Sequence, residues 1–239
     1  MHSTITRVDE REWHALDGDR VAGHGDVAQR PDGRLFLGID AWHDEVFEQL
    51  AAAMLAELPG PVYTMVDEAD RDLIARWERV GFTTRRREWE YLVPTGPVDG
   101  GPPGGVRILD RGAAQPDPLR DLDRALRDEV ELGIGWPVAA LGRPLDPAHH
   151  LVAVHGTEYV ALARVQEVRV PRIGLIAVRP ELRRRGIGRA LLARALDTLR
   201  DGGFATAYAE VSEADLAATA LFEGFGARRI AGSLELVRR

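Results

Sequence analysis

Three consecutive arginines followed at once by two spaced glycines, Arg183-Arg184-Arg185-Gly186-Ile187-Gly188, are the residues of this chain best suited to chemistry. A guanidinium presents a rigid fork of donors that matches phosphate oxygens. A glycine lets the backbone approach an anion with no Cβ in the way. Residues of these types at this spacing predict a site for a phosphate or pyrophosphate.

The elements around the loop must aim it. The apolar run Ile173 to Val178 reads as a strand, and the amphipathic run Gly188 to Leu199 reads as a helix. A strand, a short turn and a helix point the turn's N–H groups and the positive end of the helix at one place, which is an anion site. Gly-x-Gly alone would be a weak signal. The full pattern Arg183-x-x-Gly186-x-Gly188 between strand and helix is specific.

This segment resembles the acyl-CoA pyrophosphate loop of the GNAT (Gcn5-related N-acetyltransferase) superfamily, whose motif is Arg/Gln-x-x-Gly-x-Gly/Ala. The elements expected around it come in the same order. A strand at Val106–Leu109 precedes a helix at Asp121–Val130. A hairpin of His150–Val154 and Tyr159–Val165 turns at His155-Gly156-Thr157. After the loop helix come a strand at Thr206–Val211, a helix around Leu216–Glu223 and a last strand at Arg228–Val237. The resemblance covers residues 105 to 239 and implies an α+β fold: a mixed, mainly antiparallel sheet flanked by helices.

The resemblance implies acetyl-CoA as co-substrate and an amine as acceptor. The backbone of Ile176, Ala177 and Val178 would pair with the pantetheine arm and polarise the thioester. Arg183, Arg184, Arg185, Gly186, Ile187, Gly188 and Arg189 would take the pyrophosphate, with Ala190 starting the helix beneath. Alignment of the final motif puts Asp215 where an asparagine is usual and Phe222 where a tyrosine is usual. A phenyl ring donates no proton, so the usual acid is missing. Ser212 could relay a proton through water, whereas Tyr208 reads as a packed strand aromatic. The strand also lacks the glutamate that many relatives carry. Base candidates are Glu210 on the next strand and Asp128, Glu129 and Glu131 beside the acceptor segment. Trp136-Pro137 reads as a pocket wall or a core anchor, while Glu181 and His155 read as turn residues.

The N-terminal half carries a second, damaged copy. At a constant offset of 145, Tyr63, Val66, Glu68, Ala69 and Asp70 coincide with Tyr208, Val211, Glu213, Ala214 and Asp215, and four further identities extend to Glu90 and Glu235. Internal repeats of this kind point to shared ancestry. Upstream, the strand Arg34–Ile39 and the helix Glu45–Leu58 are joined by roughly six residues fewer than their counterparts, an expectation drawn from the repeat. Asp40, Asp44 and Glu45 stand where an anion would sit. Residues 1–94 are therefore expected to form a truncated half without the cofactor loop. Residues 95–105, rich in proline and glycine, read as a linker, and residues 106–239 as the acetyltransferase domain.

Composition narrows the function. The chain has 239 residues, no cysteine and a net charge of −7. Thiolate nucleophiles, disulfides and cysteine-based metal sites are excluded, and no metal is expected. An acidic balance disfavours nucleic acid as a partner, and no run of about 18 apolar residues predicts a membrane span. The start of the chain shows no apolar signal core, so a cytoplasmic protein, monomer or homodimer, is expected. Three functions fit: an N-acetyltransferase acting on a primary amine of a small molecule or peptide, a non-catalytic acyl-CoA-binding module, and a mycothiol-synthase-like acetyltransferase.

Overall fold

A computed structural model describes residues 3–97, 100–134, 145–167 and 169–239. The chain forms two compact units, Met1–Glu88 with Ala231–Arg239, and Trp89–Ile230.

The first unit is a sheet with helices packed on it. Strands β1 (Thr4–Asp9), β2 (Glu12–Asp17), β3 (Arg20–Gln29), β4 (Leu35–Ala41) and β5 (Val62–Asp67) are neighbours in that order. All pair antiparallel except β4 with β5. Helix α1 (Asp44–Glu57) buries Val46, Phe47, Leu50 and Met54 against this sheet. The seat is glycine-dependent. A Cβ at Gly23 would lie 2.9 Å from Leu50 and Val46, and one at Gly25 would lie 2.5 Å from the Met54 sulfur. Helix α2 (Arg71–Arg79) adds Trp77, whose ring meets Phe47 and Phe82 edge-on. The far end of the chain completes the unit: β12 (Arg228–Arg238) pairs antiparallel with β5, from Ser233 opposite Asp67 to Arg238 opposite Val62. Leu234 and Leu236 enter the core. Buried Glu235 accepts from Arg34, Arg85 and Arg86. Burial alone would raise its carboxyl pKa, but the Arg86 hydrogen bond and the surrounding guanidinium charges bring it below the usual range.

The second unit orders its strands β6 (Thr83–Pro94), β11 (Thr206–Ser212), β10 (Arg172–Val178), β9 (Glu158–Gln166), β8 (His150–His155) and β7 (Val106–Leu109). The Trp89–Pro94 end of β6 belongs to this unit. Helix α3 (Pro116–Ile134) packs Leu119, Leu122 and Leu126 against Val152, Leu162 and Leu175. Helix α4 (Ile187–Asp201) packs Leu191, Leu192, Leu196 and Leu199 against Leu151, Ala163 and Ile173. Each helix thus lays an apolar stripe on the sheet. Helix α5 (Leu216–Glu223) buries Phe222. The expected mixed, mainly antiparallel sheet with flanking helices is present.

Two expectations differ in extent. The helix expected at Asp121–Val130 runs over Pro116–Ile134, because Pro116 and Pro118 fall in the first turn, where the missing N–H breaks no helical bond. The proline- and glycine-rich segment is held at its start and at its middle. Thr95 donates through Oγ1 to the Phe204 carbonyl at 2.5 Å, and Gly100 lies against Ala193.

Candidate active site

The loop motif lies where two parallel strands part. β10 and β11 pair only through Arg172 with Tyr208 and Ile173 with Ala209, and beyond Ile173 the ladder stops. On its other edge β10 pairs with β9, but the register slips between Ile173 and Ile176. The extra residue bends the strand and re-aims its C-terminal end. Arg179 donates its N–H to the Val160 carbonyl of β9 at 2.9 Å. Because backbone groups alternate sides along a strand, those of Val178 and Ile176 face the opened gap. A gap lined by strand N–H and C=O groups can accept a third extended chain by continuing the ladder.

Past β10, a short 3₁₀ turn at Pro180–Leu182 leads into the arginines. Arg184 holds a left-handed conformation with φ 62°, and Gly186 does so with φ 84°. Gly186 is the N-cap of α4 and supplies no side-chain oxygen, so the first N–H groups of the helix stay open to a ligand. Arg184 and Arg185 are exposed and pair with no carboxylate among the described residues. Gly188 faces Val178 and Leu221 at ordinary contact distance. Arg189 has its guanidinium over the Phe225 ring, while Ile187 and Ala190 are buried beneath the loop.

Arg183 behaves differently. Its Nε donates to the Val178 carbonyl at 3.0 Å, and its Nη2 pairs with Glu129 of α3 at 2.5 Å. It braces the mouth of the gap and links it to α3. That helix is anchored in turn by buried Asp123, which pairs with Arg127 and lies 3.5 Å from Arg164 of β9. Arg164 packs along Gly174, at the slipped register of β10.

The remaining candidates divide between exposed, paired and buried positions. Glu131 and Asp128 sit on the last turns of α3, with Glu131 exposed. Glu210 is exposed on β11 and held at 2.5 Å by Arg172, whose pKa that bond raises. It is engaged in an ion pair at the foot of the fork. Ser212 is buried and accepts from the Ala214 N–H at 3.3 Å. Asp215 caps α5, accepting from the Ala218 N–H at 2.8 Å. Phe222 is a core residue, stacked on Tyr91 of β6 at 6.3 Å. Tyr208 is half-buried on β11, Glu181 is exposed in the 3₁₀ turn, and His155, expected in the hairpin turn, is instead the exposed last residue of β8, paired with Glu158. Trp136 and Pro137 lie outside the described residues.

Two residues beside this site escape a sequence reading. Tyr91 donates to Glu223 at 3.1 Å and accepts from Arg229 at 2.7 Å, and Glu90 lies 3.5 Å from Arg172. Both come from β6, far from the motif in sequence; Glu90 is marked there only as a repeat identity, and Tyr91 by no local signal.

The equivalent junction of the first unit is built otherwise. Only Trp42 and His43 separate β4 from α1. Asp44, in the first turn, pairs with Arg76 at 2.9 Å and Arg79 at 2.6 Å. β4 and β5 also pair through two residues only, but no arginine–glycine turn comes after β4.

A forked parallel pair with open backbone groups, an uncapped helix start and two exposed arginines fit the arm and pyrophosphate of a coenzyme A thioester. Fold and site together define an acyl-CoA-dependent transferase. The chain belongs to the acetyltransferase (GNAT) family, whose sequence pattern matches residues 119–227. It is similar to mycothiol acetyltransferase of Thermobispora bispora, 29% identical over 233 residues that cover 89% of this chain and 78% of that protein. It is also similar to the N-alpha-acetyltransferase RimI of Mycobacterium tuberculosis, 35% identical over 120 residues, 46% of this chain and 74% of that protein. A crystal structure of a GCN5-related N-acetyltransferase from Sphaerobacter thermophilus superposes with a TM-score of 0.69 at 19% identity, covering 98% of this chain and 82% of that one. Acetyltransferases of this family use acetyl-CoA and act on amine acceptors.

Proposed function

We propose that this chain transfers an acetyl group from acetyl-CoA directly to a primary amine of a small molecule or peptide. The observation that carries the proposal is the fork of β10 and β11 opening onto the uncapped start of α4. Arg184, Arg185 and the N–H groups of Gly186 to Arg189 hold the pyrophosphate. Ile176 and Val178 align the pantetheine arm with backbone groups, and Ala177 between them, expected to share that role, turns its own to β9. Arg183 fixes the loop rather than the ligand, through Val178 and Glu129. Once bound, the co-substrate supplies an activated acyl carbonyl and a thiol leaving group with a pKa near that of a free cysteine, about 8.5.

Glu131, exposed near the acceptor segment, draws a cationic amine and accepts its proton, directly or through water. Glu210 is the weaker base candidate, being engaged by Arg172. As the amine nitrogen bonds to the acyl carbon, the carbon–sulfur bond breaks and the sulfur departs as thiolate. Ser212 and Asp215 serve the site through the backbone turn they hold, and Phe222 packs beside it. The first unit is a degenerate half that binds no coenzyme A, and the second unit, Trp89–Ile230, carries the transfer. The recurrence of the Asp70 cap at Asp215 favours a tandem origin.

A second reading concerns the acceptor alone. Similarity to mycothiol acetyltransferase spans most of the chain, favouring a small-molecule amine, whereas the RimI similarity spans about half and favours a peptide α-amine. Thiol release from acetyl-CoA, monitored with a panel holding both amine classes, distinguishes them. Acceleration by one class supports the proposal. Cofactor binding with no amine-stimulated release would reduce the chain to an acyl-CoA-binding module.

A further inference from the structure

Among the described residues of the first unit, no helix covers one face of the sheet at β2 and β3. α1 occupies the opposite face, where Trp13 and Ala15 of β2 are buried. Residues Glu12 and His14 alternate with them and so point the other way. The register places His14 directly opposite His24. On this face the Glu12 Oε1 atom lies 3.1 Å from Nε2 of His14 and 3.1 Å from Nε2 of His24. The three donor atoms all lie within 4.8 Å of one another.

We propose that Glu12, His14 and His24 form a binding site for a divalent transition-metal ion, with zinc the best match to the donor set. Two imidazoles and one carboxylate are a common ligand set for such ions. The spacing fits. Ligands about 2.1 Å from a tetrahedral ion stand about 3.4 Å apart, near the separations seen here. The donors are preorganised, since two adjacent, directly paired strands fix them and little ordering is required on binding. Entry is open, because the three side chains are between 28% and 42% exposed. The electrostatics favour a cation: Asp40 lies opposite His24 and Asp26 opposite Glu12 in the register. With three protein ligands, at least one coordination position remains for water. The ion would clamp the β2–β3 hairpin. This departs from the metal-free expectation drawn from the sequence, and it is independent of the acetyl-transfer reading.

The test uses the full chain, stripped with a chelator and titrated with zinc by calorimetry. One equivalent should bind, and thermal stability should rise with zinc concentration. His24→Ala and Glu12→Gln should each weaken zinc binding by about tenfold or more. Both should keep the circular dichroism spectrum and the acetyl-CoA affinity of the parent, whereas His149→Ala should bind zinc normally. Cobalt should give visible absorption bands that are lost in His24→Ala. Absence of zinc binding, or equal affinity in His24→Ala, Glu12→Gln and the parent, would overturn the assignment.

Discussion

Gly188 is the residue at which ligand and fold can be separated. Its missing Cβ would meet Val178 and Leu221 only at 3.7 and 3.8 Å, so the fold tolerates a side chain there. A glutamate would place bulk and negative charge in the proposed pyrophosphate site. Gly188→Glu should therefore abolish acetyl-CoA binding in calorimetry while leaving circular dichroism unchanged. His150 offers a pH test. Burial brings its pKa down to about 4 from 6.5, against a smaller opposing effect of the hydrogen bond from Nδ1 to the Asp146 carbonyl. The folded chain thus keeps it neutral where the unfolded chain is protonated. Between pH 6.5 and 4 the unfolded state binds the extra proton, so stability falls as pH falls through that window. The loss is about 3 kcal/mol from this group. Urea unfolding of His150→Gln should show a shallower decline over the same range.

Among elements, the turn into α4 depends most on unusual backbone. Gly186 holds φ 84° with open space where a Cβ would be, so the obstacle to substitution is conformation rather than collision. Gly186→Ala should cost about 1–2 kcal/mol, the penalty for a left-handed L-residue. It should also weaken acetyl-CoA binding more than it weakens the fold, because the N–H groups proposed to take the anion come directly after it. Paired denaturation and binding measurements check both parts. Arg184 already carries such a conformation beside it, in keeping with strain concentrating where ligands are held.

The whole molecule is assembled from segments remote in sequence. Leu236 is fully buried in the core that holds Trp13, Trp77 and Phe82. Leu236→Ala should destabilise that unit by about 2–5 kcal/mol, monitored through tryptophan fluorescence, although the substitution lies at the far end of the chain. The cofactor stoichiometry is a second test at this scale. The first unit has no arginine–glycine turn between β4 and α1, and its helix start carries Asp44, so titration should saturate at one equivalent of acetyl-CoA per chain. Two equivalents would mean that the first unit also binds it.

The local signals in the sequence reached a definite distance. Helix α5 and strand β7 stand at their expected bounds, because an apolar period or alternation closed by a cap or turn is decided by neighbouring residues. Two pairs matched in the sequence also take like local structure: Asp70 and Asp215 cap their helices alike, and Gly81 and Gly226 both take positive φ. Strand β3 carries no such local signal, since Gly23 and Gly25 weaken a strand by themselves and find their use only where α1 is seated on them at distances only glycine allows. The catalytic candidates divided along the same line. The arginine–glycine loop declared itself through contiguous residues. That Glu210 is engaged by Arg172, that Phe222 stacks on Tyr91 and that Arg183 braces Glu129 were decided only when distant strands came together. The residues of a loop fix what an anion meets locally, but a carboxylate's partner and a ring's neighbours are set by non-local packing, which no spacing along the chain records.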